Sequence, residues 1–420
     1  MSNPSLLCVP YRFKTSKLYS QIPDSGLGDF VVTRSASNSA TRVNAAGLIE
    51  TVADNVPRLD YPLGGITAGC PALLVEPSAQ NTCLQSQTFQ NWAFTNASAS
   101  SGNAAISPSN TQTAGLFIPN SGTTGRGEVA CGTLSNATTY SFSCFIKTPT
   151  NSLTSVWLYI SDGGTGTGAN RWGVEINLSN FTLTDYIVGN GSVTSKAVEN
   201  YGNGWYRIRV TGQVTSAISG SSVAVVRKVN AGADTNGING VLVWGAQLEA
   251  SSIATSYIPT TTAPITRGAE AVSKTGVSSL IGQTEGTIYL EVEQDPLNRD
   301  IFSLNTGTGN SIIFYKNSSN IVNARLYANS STIFTIANAV ATNGFVKIAL
   351  AYKAGDSAMV INAGTAQTSA SSFIFSSALS LVSLTPSWFT NAGFTKIRAV
   401  ALYPTRLPNT GPLSLQSLTQ

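Results

Sequence analysis

Hydrophobic and polar residues alternate along many stretches of the chain after about residue 80. Each stretch places apolar side chains at every second position, so one face of the stretch is apolar and the other is mixed. A period of two is typical of a strand with one buried face. The pattern predicts strands at 138–148, 155–162, 171–178, 205–212, 286–295, 311–317, 323–329, 345–355, 357–364 and 395–404.

These strands fall into two groups, separated by a Thr- and Pro-rich joint, SYIPTTTAPITRGAEA (256–271). Asn-Gly pairs in the first group supply the positive-φ residues that tight hairpins need. NGWYRIRV (203–210) and NGFVKIAL (343–350) share a turn, an aromatic residue, a basic residue and Ile, which indicates two units of related plan. We therefore predict an all-β protein with two tandem β-sandwiches. The predicted organisation is a first sandwich at 81–258, a linker at 259–271 and a second sandwich at 272–420.

Residues 1–80 differ from the rest, with repeated prolines and little sustained periodicity. TRVNAAGLIETVADN (41–55) favours at most one short helix or turn. Such a segment has too little patterned apolar sequence for a core of its own. We therefore expect it to cover another surface, either that of a neighbouring domain or that of a partner.

Composition supports the all-β prediction and excludes some functions. Charged residues make up 10 % of the 420 residues, against about 25 % in an average globular domain. Ser, Thr, Asn and Gly replace them, which favours strands and tight turns. The net charge of +4 is spread evenly without a basic stripe, so no nucleic-acid partner is expected. No apolar run approaches the roughly 18–20 residues of a membrane span, and no signal peptide is evident, so membrane insertion is not expected.

The absence of His and the number of Cys narrow the possible chemistry. A chain without His cannot use Ser-His-Asp or Cys-His catalysis, or His-ligated metals. The cysteines form no CxxC pair, and their odd number argues against a complete disulfide framework. We predict buried free thiols, no metal and no cofactor. The cysteines are Cys8, Cys70, Cys83, Cys131 and Cys144.

Five sequence segments spread along nearly the whole chain form a recognisable series: NVPRLDYP (55–62), CPALLVEPSAQNTCLQS (70–86), NGWYRIRV (203–210), VWGAQLEASSIATSYIPTTTAPITR (243–267) and FTKIRAVALYPTRL (394–407). Together they resemble virion proteins of tailed bacteriophages, of the tail-fibre, tail-spike, head-fibre or minor-tail type. The segment from Trp244 to Arg267 is the most specific part of the resemblance.

The resemblance implies an irregular N-terminal attachment region at 1–80, a carbohydrate-binding-module-like jelly roll and a concanavalin-A-like sandwich. It implies a homotrimer that docks on capsid, portal-proximal or tail proteins through residues 1–80 and projects towards host-surface polysaccharide. The expected location is the virion, assembled in the cytoplasm of the bacterial host. The resemblance brings no catalytic motif, so the sequence predicts a structural protein that is not an enzyme.

Aromatic and arginine side chains are the candidate glycan-binding residues. Trp157 and Tyr159 share a face opposite the aliphatic one, and Trp205 is in phase with two arginines. If those strands are neighbours, the face offers flat rings for sugar C–H groups and donors for hydroxyl or carboxylate groups. The alternative is that the rings form the core of the second sheet or a contact between subunits. The candidate set is Trp157, Tyr159, Arg171, Trp172, Trp205, Arg207 and Arg209.

Acidic residues of LEVEQDP (290–296) suggest an alternative function, a polysaccharide depolymerase. Glu291, Glu293 and Asp295 share one strand face, with same-face neighbours about 7 Å apart. Inverting glycosidases place their carboxyl groups roughly 6.5–9.5 Å apart. The simpler interpretation is a solvated strand face or a subunit contact.

Glu249 ends LVWGAQLE (242–249), a stretch that is apolar at successive positions and therefore predicts a strand buried on both faces. We expect Glu249 to accept hydrogen bonds or to pair with an Arg at the end of this closing strand. A catalytic role for its carboxyl group is the less favoured alternative.

Overall fold

Antiparallel strands form almost all of the regular structure of the chain, which confirms the predicted all-β class. The computed structural model describes residues 3–35, 39–99, 103–230, 238–294, 299–306, 309–317, 319–339, 344–386 and 394–420. Helical structure in these ranges is confined to 3-10 turns and one α-helix: Gly65–Ala68, Phe89–Asn91, Ser278–Leu280 and α1 (Leu415–Leu418). None of the helices in these ranges has the length and apolar character needed to span a bilayer.

The chain up to residue 81 forms short strands. The stretch 41–55, which the sequence favours as a short helix or turn, contains a hairpin. The side chain of Asn44 closes its turn by accepting hydrogen bonds from the backbone N–H groups of Ala46 and Leu48. The strands are β1 (Leu6–Cys8), β2 (Phe13–Lys14), β3 (Lys17–Leu18), β4 (Phe30–Arg34), β5 (Ala40–Val43), β6 (Ile49–Val52), β7 (Arg58–Asp60), β8 (Ala72–Val75) and β9 (Ala79–Asn81).

The first sandwich packs two sheets against each other. Sheet 1 has the order β10-β13-β20-β15-β16-β17, and sheet 2 has the order β11-β12-β21-β14-β19-β18. The alternating residues predicted to be buried, such as Val156, Leu158 and Ile160, point into the core between them. The strands are β10 (Ala93–Thr95), β11 (Ala97–Ala99), β12 (Gly115–Pro119), β13 (Arg126–Thr133), β14 (Tyr140–Lys147), β15 (Ser155–Ser161), β16 (Arg171–Asn177), β17 (Leu183–Val188), β18 (Gly191–Gly202), β19 (Trp205–Val214), β20 (Ser221–Lys228) and β21 (Val241–Glu249).

The second sandwich contains strands from both ends of the chain. Its strands are β22 (Ile265–Arg267), β23 (Glu270–Thr275), β24 (Glu285–Gln294), β25 (Arg299–Asn305), β26 (Ser311–Lys316), β27 (Ile321–Ala328), β28 (Ser331–Ala339), β29 (Val346–Lys353), β30 (Ser357–Ile361), β31 (Gln367–Ser369), β32 (Leu381–Ser383) and β33 (Thr395–Tyr403), although β22 pairs only with β9 in the described residues. One sheet has the order β31-β30-β29-β24-β33-β8-β7, with β1 also pairing with β33. The other has the order β2-β3-β4-β23-β32-β25-β26-β27-β28.

Residues 1–80 are therefore built into the second sandwich. Leu6, Phe30 and Leu59 lie in the same core as Ile288 and Leu290. A segment without a core of its own is stabilised by burying its few apolar side chains in a core that another region supplies. Most of the surface that this segment covers belongs to the domain at the far end of the chain, while Ile49 of its hairpin packs in one cluster with Trp205 of the first sandwich.

Buried charges hold the junction between the two sandwiches. Arg58 donates hydrogen bonds to Glu76 and to Glu270, both at 2.8 Å, and Arg34 donates to Glu270 at 3.1 Å. These side chains are almost completely buried. We call this group the junction ion cluster, and its members are Arg34, Arg58, Glu76, Arg267 and Glu270.

A disulfide joins Cys83 to Cys131 and corrects the prediction that the cysteines are free thiols. The bond connects the chain just after β9 to β13 in sheet 1, 48 residues later. Of the remaining cysteines, Cys8 and Cys144 are buried and Cys70 is exposed.

Candidate functional site

Three aromatic rings form a cluster on the outer face of sheet 1. Trp157 and Tyr186 are stacked, with ring centroids 4.6 Å apart and planes 25° from parallel. Tyr159 packs against Tyr186 at 4.9 Å. The cluster faces away from the sandwich core, as the alternation along β15 predicts for Trp157 and Tyr159. We call it the aromatic platform, defined by Trp157, Tyr159 and Tyr186 with the flanking residues Arg171, Glu175 and Arg227.

A glycine on the central strand makes this ring cluster possible. In the sheet register, Gly173 of β16 lies between Tyr159 of β15 and Tyr186 of β17. A Cβ atom at position 173 would lie 2.4 Å from the Cβ of Tyr159, which is far inside van der Waals contact. Because Gly173 has no side chain, the rings of the two outer strands meet across it.

Charged side chains flank the rings on both sides. Arg227 lies with its Cζ 5.5 Å from the centroid of the Trp157 ring, a cation–π distance. On the opposite neighbouring strand, Glu175 accepts a hydrogen bond from Trp157 Nε1 at 3.3 Å. Arg171 donates from Nη1 to the hydroxyl oxygen of Tyr186 at 3.0 Å. Flat rings with polar groups at their edges match a sugar ring, which carries C–H groups on its faces and hydroxyl groups around its edge.

The loop 161–170 forms a wall beside the platform. Tyr159 donates its hydroxyl proton to the carbonyl of Gly166 at 2.8 Å, and the Gly166 N–H donates to Glu128. Arg171 Nε donates to the carbonyl of Gly168 at 3.0 Å. Backbone groups of Gly166 and Gly168 thus hold the loop against the platform.

Asp162 anchors the base of this loop. Its carboxylate accepts hydrogen bonds from the backbone and side-chain nitrogens of Asn170 and from the Ser219 N–H. These three donors occupy the carboxylate, so its role in the fold is to hold the loop. In the described parts of the chain, no group of three or more Cys, Asp or Glu side chains is placed to hold a metal ion.

Burial keeps the hydroxyl of Tyr159 protonated. It raises the pKa of Tyr159 to about 12, although the charge of Arg227 acts in the opposite direction. The neutral hydroxyl can therefore donate to Gly166 at neutral pH. Tyr159 acts as a support for the platform, while Trp157 and Tyr186 are only half-buried and keep surface open to solvent.

The other predicted candidates lie elsewhere. Trp205, Arg207 and Arg209 belong to β19 of sheet 2, whereas β15 belongs to sheet 1, so the two strands are not neighbours. Trp205 is 2 % exposed and donates from Nε1 to the carbonyl of Ile106. Arg207 is buried and donates to Ser143 and Thr255.

Trp172 is completely buried in the core of the first sandwich. Arg209 pairs with Glu199 at 3.2 Å. Of the seven candidates, the structure brings Trp157, Tyr159 and Arg171 together, and it separates Trp172, Trp205, Arg207 and Arg209 from them.

Arg209 lines a cleft of about 130 Å³ where the N-terminal hairpin, sheet 2 and the second sandwich meet. The cations at this cleft already have partners, since Lys396 pairs with Asp60 at 2.8 Å and Arg209 pairs with Glu199. Burial, reinforced by Glu199, raises the pKa of the Tyr201 hydroxyl in this cleft to about 12. These neutralised pairs make the cleft a polar contact between domains, and we do not place the binding site there.

The two described acidic residues suggested for hydrolysis both lie beside basic side chains. Glu291 lies 3.6 Å from Arg398 in an ion pair, and Glu293 lines a cavity of about 80 Å³ beside Lys396. Asp295 lies outside the described residues. The core-facing residues between them are buried, as the alternation predicts.

Glu249 is completely buried at the end of β21, whose residues are buried on both faces as predicted. Its carboxylate accepts a hydrogen bond from the Thr255 N–H at 2.8 Å. Burial raises the pKa of Glu249, and the hydrogen bonds from Thr255 oppose this shift. Glu249 thus accepts hydrogen bonds within the chain, as predicted.

Three platform residues were missed from the sequence: Glu175, Tyr186 and Arg227. The sequence carries a signal for two of them. Tyr186 alternates with exposed residues in LTDYIV (183–188), and Arg227 ends the apolar run SSVAVVRK (221–228). What the sequence could not supply was the pairing of β15 with β16 and β20, which places these residues around Trp157.

No family model and no curated protein matches this chain. Among solved structures, it is similar to domain 4 of AbnA, a GH43 extracellular arabinanase from Geobacillus stearothermophilus, in complex with arabinotriose (14 % identity, 36 % of this chain and 73 % of that chain, TM-score 0.28). It is similar to the Ruminococcus gnavus IT-sialidase CBM40 (14 % identity, 31 % and 82 %, TM-score 0.26). It is also similar to the Trypanosoma rangeli sialidase (11 % identity, 73 % and 60 %, TM-score 0.29). Likenesses at this level carry no argument about what this chain binds or does.

The comparison does correct one prediction. Structures of glycan-hydrolysing enzymes stand among those similar to the chain, which contradicts the prediction that it is not an enzyme without showing that it is one. We withdraw it. None of the three structures named above is a phage virion protein.

Proposed function

We propose that this chain is a glycan-binding component of a tailed-phage virion, with its binding surface on the aromatic platform. One observation carries the glycan-binding part of the proposal. Trp157 and Tyr186 form a half-buried, stacked ring pair on the outer face of a sheet, where the core does not require them. Rings of this kind receive the C–H faces of sugars.

The polar groups around the rings support the same function. Arg171 and Arg227 can donate to hydroxyl or carboxylate oxygens, and Glu175 can accept from hydroxyl groups. The hydrogen bonds to loop 161–170 hold Tyr159 and Arg171 in place before a ligand arrives. A site that is ordered in advance loses less conformational entropy when it binds.

The virion part of the proposal is supported by the sequence resemblance. We propose that residues 1–80 attach the protein to capsid, portal-proximal or tail proteins, and that the chain is a homotrimer. The segment exposes Val9, Tyr11 and Ile66, apolar side chains that an attachment contact would cover.

An array of bacterial surface polysaccharides, probed with the full chain, tests glycan binding. We expect binding that Trp157→Ala removes. The matched control is Tyr11→Ala, which removes an exposed ring from the N-terminal segment and should leave binding unchanged. Unfolding curves for each variant exclude loss of fold as the cause. Full binding by folded Trp157→Ala, or no binding by the folded wild-type chain, would overturn the assignment of the platform.

Immunogold electron microscopy of particles of the phage that encodes the chain tests the virion placement. We expect label at a defined position on the particle. Light scattering should give a native mass of three times 43.8 kDa. Particles that lack the protein would refute the virion placement without affecting the array result, and a monomer would refute the trimer.

A further inference from the structure

We infer that the aromatic platform selects acidic glycans, those built with uronic or other carboxylated sugars. The inference rests on the glycan-binding function proposed above. It follows from two properties of the guanidinium groups of Arg171 and Arg227, which flank the rings: they form no ion pair with the described residues, and they keep N–H donors unused.

Neither of these guanidinium groups has a carboxylate partner. Among the residues that the structure describes, no Asp or Glu oxygen lies within 4.0 Å of Arg171 or Arg227. The contrast is sharp within the same sheet, since Arg126 of β13 pairs with Glu128 at 2.9 Å. The charges of Arg171 and Arg227 are balanced by no ion pair, and a carboxylate of the ligand would balance them.

Both guanidinium groups also keep unused donors. A guanidinium carries five N–H donors. Arg171 uses Nε and Nη1, on Gly168 and Tyr186, and Nη2 makes no hydrogen bond with the described residues. Arg227 uses Nη2, on Thr124, its Nε is buried out of reach of a ligand, and its Nη1 makes no hydrogen bond with the described residues. The contacts that hold each side chain in place therefore leave donors for a ligand.

The nearby carboxylates do not cancel this charge. Glu128 is engaged by Arg126 and by the Gly166 N–H. Glu175 accepts from Trp157 Nε1. The platform and its immediate surround thus carry three arginines against two glutamates, and the Asp162 carboxylate lies at the base of the loop, where it accepts hydrogen bonds from Asn170 and Ser219. Glu175 lies across Trp157 from Arg227, so it disfavours an acidic group on its own side of the ring and directs that group towards the arginines.

The ligand would therefore lie with a sugar face on the Trp157–Tyr186 pair and its carboxylate on a guanidinium. Charge-assisted hydrogen bonds from Arg to carboxylate are about twice as strong as neutral ones. A neutral glycan of the same shape would keep the stacking contact and lose these bonds. Discrimination between the two forms is the property that the inference predicts.

Matched ligands test it directly. The probes are oligosaccharides of polygalacturonate, alginate, hyaluronan and polysialic acid, each beside the same oligosaccharide with its carboxyl groups reduced to alcohols. Affinities are measured by calorimetry with the full chain. We expect at least one acidic probe to bind about tenfold or more tightly than its reduced form, and that preference should weaken as salt is raised.

Variants then assign the preference to the two arginines. Arg171→Gln and Arg227→Gln should each lower the affinity for the acidic probe about tenfold and lower the affinity for the reduced probe much less, because only the charge-assisted bonds to the carboxylate are specific to the acidic form. Arg227→Lys should retain part of the preference, because it keeps the charge and loses the planar donor pair. Arg12→Gln makes the same change of charge at an exposed arginine of the N-terminal segment and should have no effect.

The outcomes distinguish failure of the acidic preference from failure of glycan binding itself. Equal binding of acidic and reduced probes, lost in Trp157→Ala, would overturn the acidic preference and leave the glycan site standing. A preference that survives both Arg→Gln variants would overturn the roles of Arg171 and Arg227. No binding of either form by the folded chain would overturn the inference, and the polysaccharide array then decides whether the proposed function falls with it.

Discussion

Arg58 donates a hydrogen bond to Glu270 at 2.8 Å although 212 residues separate them in sequence, and both side chains are at most 2 % exposed. Arg58 also binds Glu76, the residue that follows β8. The N-terminal segment and the entry to the second sandwich therefore share one set of buried charges. Ser256, in the exit from the first sandwich, adds hydrogen bonds to Glu76. We conclude that the three regions are joined at the junction ion cluster.

Removing one charge from this cluster should destabilise the whole chain. Glu270→Gln leaves Arg34 and Arg58 buried beside an uncharged amide, and breaking a buried pair in this way costs about 3–5 kcal/mol. The control is Glu285→Gln, which removes the same charge from a surface pair with Lys353 and should cost no more than about 1 kcal/mol. Urea unfolding followed by fluorescence and circular dichroism measures both.

The shape of the unfolding curve tests the linkage between domains. If the cluster joins the sandwiches, Glu270→Gln should shift the transitions of both. A shift confined to one sandwich, or equal stability of Glu270→Gln and Glu285→Gln, would contradict the role given to the cluster.

Glu76 should make the protein sensitive to acid in a defined window. Burial alone would raise its pKa, but Arg267 and Arg58 lower the pKa of Glu76 from 4.5 to about 2. Because the folded-state pKa is lowered, this carboxylate stabilises the fold above pH 4.5, and the stabilisation is lost as pH falls from 4.5 towards 2. In Glu76→Gln, the plot of unfolding free energy against pH should be shallower in this window, by at most about 1.4 kcal/mol per pH unit.

Glu249 changes the pH dependence of stability in the opposite direction to Glu76, and over a different pH range. Burial raises its pKa above the ordinary 4.5, so the folded state takes up a proton there more readily than the unfolded state does. The effect of Glu249 on the free energy of unfolding therefore lies above pH 4.5, outside the range in which Glu76 acts.

If wild type and Glu76→Gln gave identical slopes of unfolding free energy against pH below pH 4.5, the ion-paired state of Glu76 would be contradicted.

Sequence alternation identified the outer faces of strands but not what covers them. Trp157 and Trp205 have the same pattern around them, with apolar neighbours at alternate positions. Trp157 lies on a face that stays partly open. Trp205 lies on a face that the 105–114 region and the N-terminal hairpin cover. The cover comes from distant segments, and periodicity within a strand carries no information about it.

The same limit applies to residues 1–80 and to the disulfide. Leu6 pairs with Leu402, almost the whole chain away, and the local pattern of a three-residue strand cannot specify such a partner. Cys83 and Cys131 are brought together only when sheet 1 forms. By contrast, β21 was predictable, because burial on both faces gives a continuous apolar run in VLVWGAQLE (241–249).

Thiol chemistry should distinguish the cysteines. In the native state only Cys70, which is exposed, should react with Ellman's reagent. Burial raises the pKa of Cys8 and of Cys144 to about 12, so neither presents a thiolate at neutral pH. Unfolding without reductant should release three reactive thiols, and reduction should release five.

Cys70→Ser is the control for that experiment and should abolish the native signal. Five thiols in the unfolded chain without reductant would show that Cys83 and Cys131 are not bonded.

The two tryptophans offer a contrast in stability. Trp205→Ala removes a buried ring whose Nε1 donates to Ile106, and should cost about 3–5 kcal/mol. Trp157→Ala removes a half-buried ring and its stacking contact with Tyr186, and should lower the free energy of unfolding by about 1–2 kcal/mol. Thermal unfolding compares them, and glycan binding should be lost in the less destabilised variant. Equal losses of stability would mean that Trp157 serves packing as much as Trp205 does.

Gly168 should control the wall of the platform. A Cβ atom at this position would lie 1.7 Å from the carbonyl oxygen of Asp162, so Gly168→Ala must displace the loop. Displacement breaks the hydrogen bonds from the Gly168 N–H to Ser161 and from Arg171 to the Gly168 carbonyl. Hydrogen exchange of residues 161–170 should accelerate, and glycan affinity should fall because Arg171 loses its fixed position. The control is Thr167→Ala, which shortens an exposed neighbouring side chain and should change neither measurement. Faster exchange with unchanged affinity would show that the loop covers the platform without positioning Arg171 for the ligand.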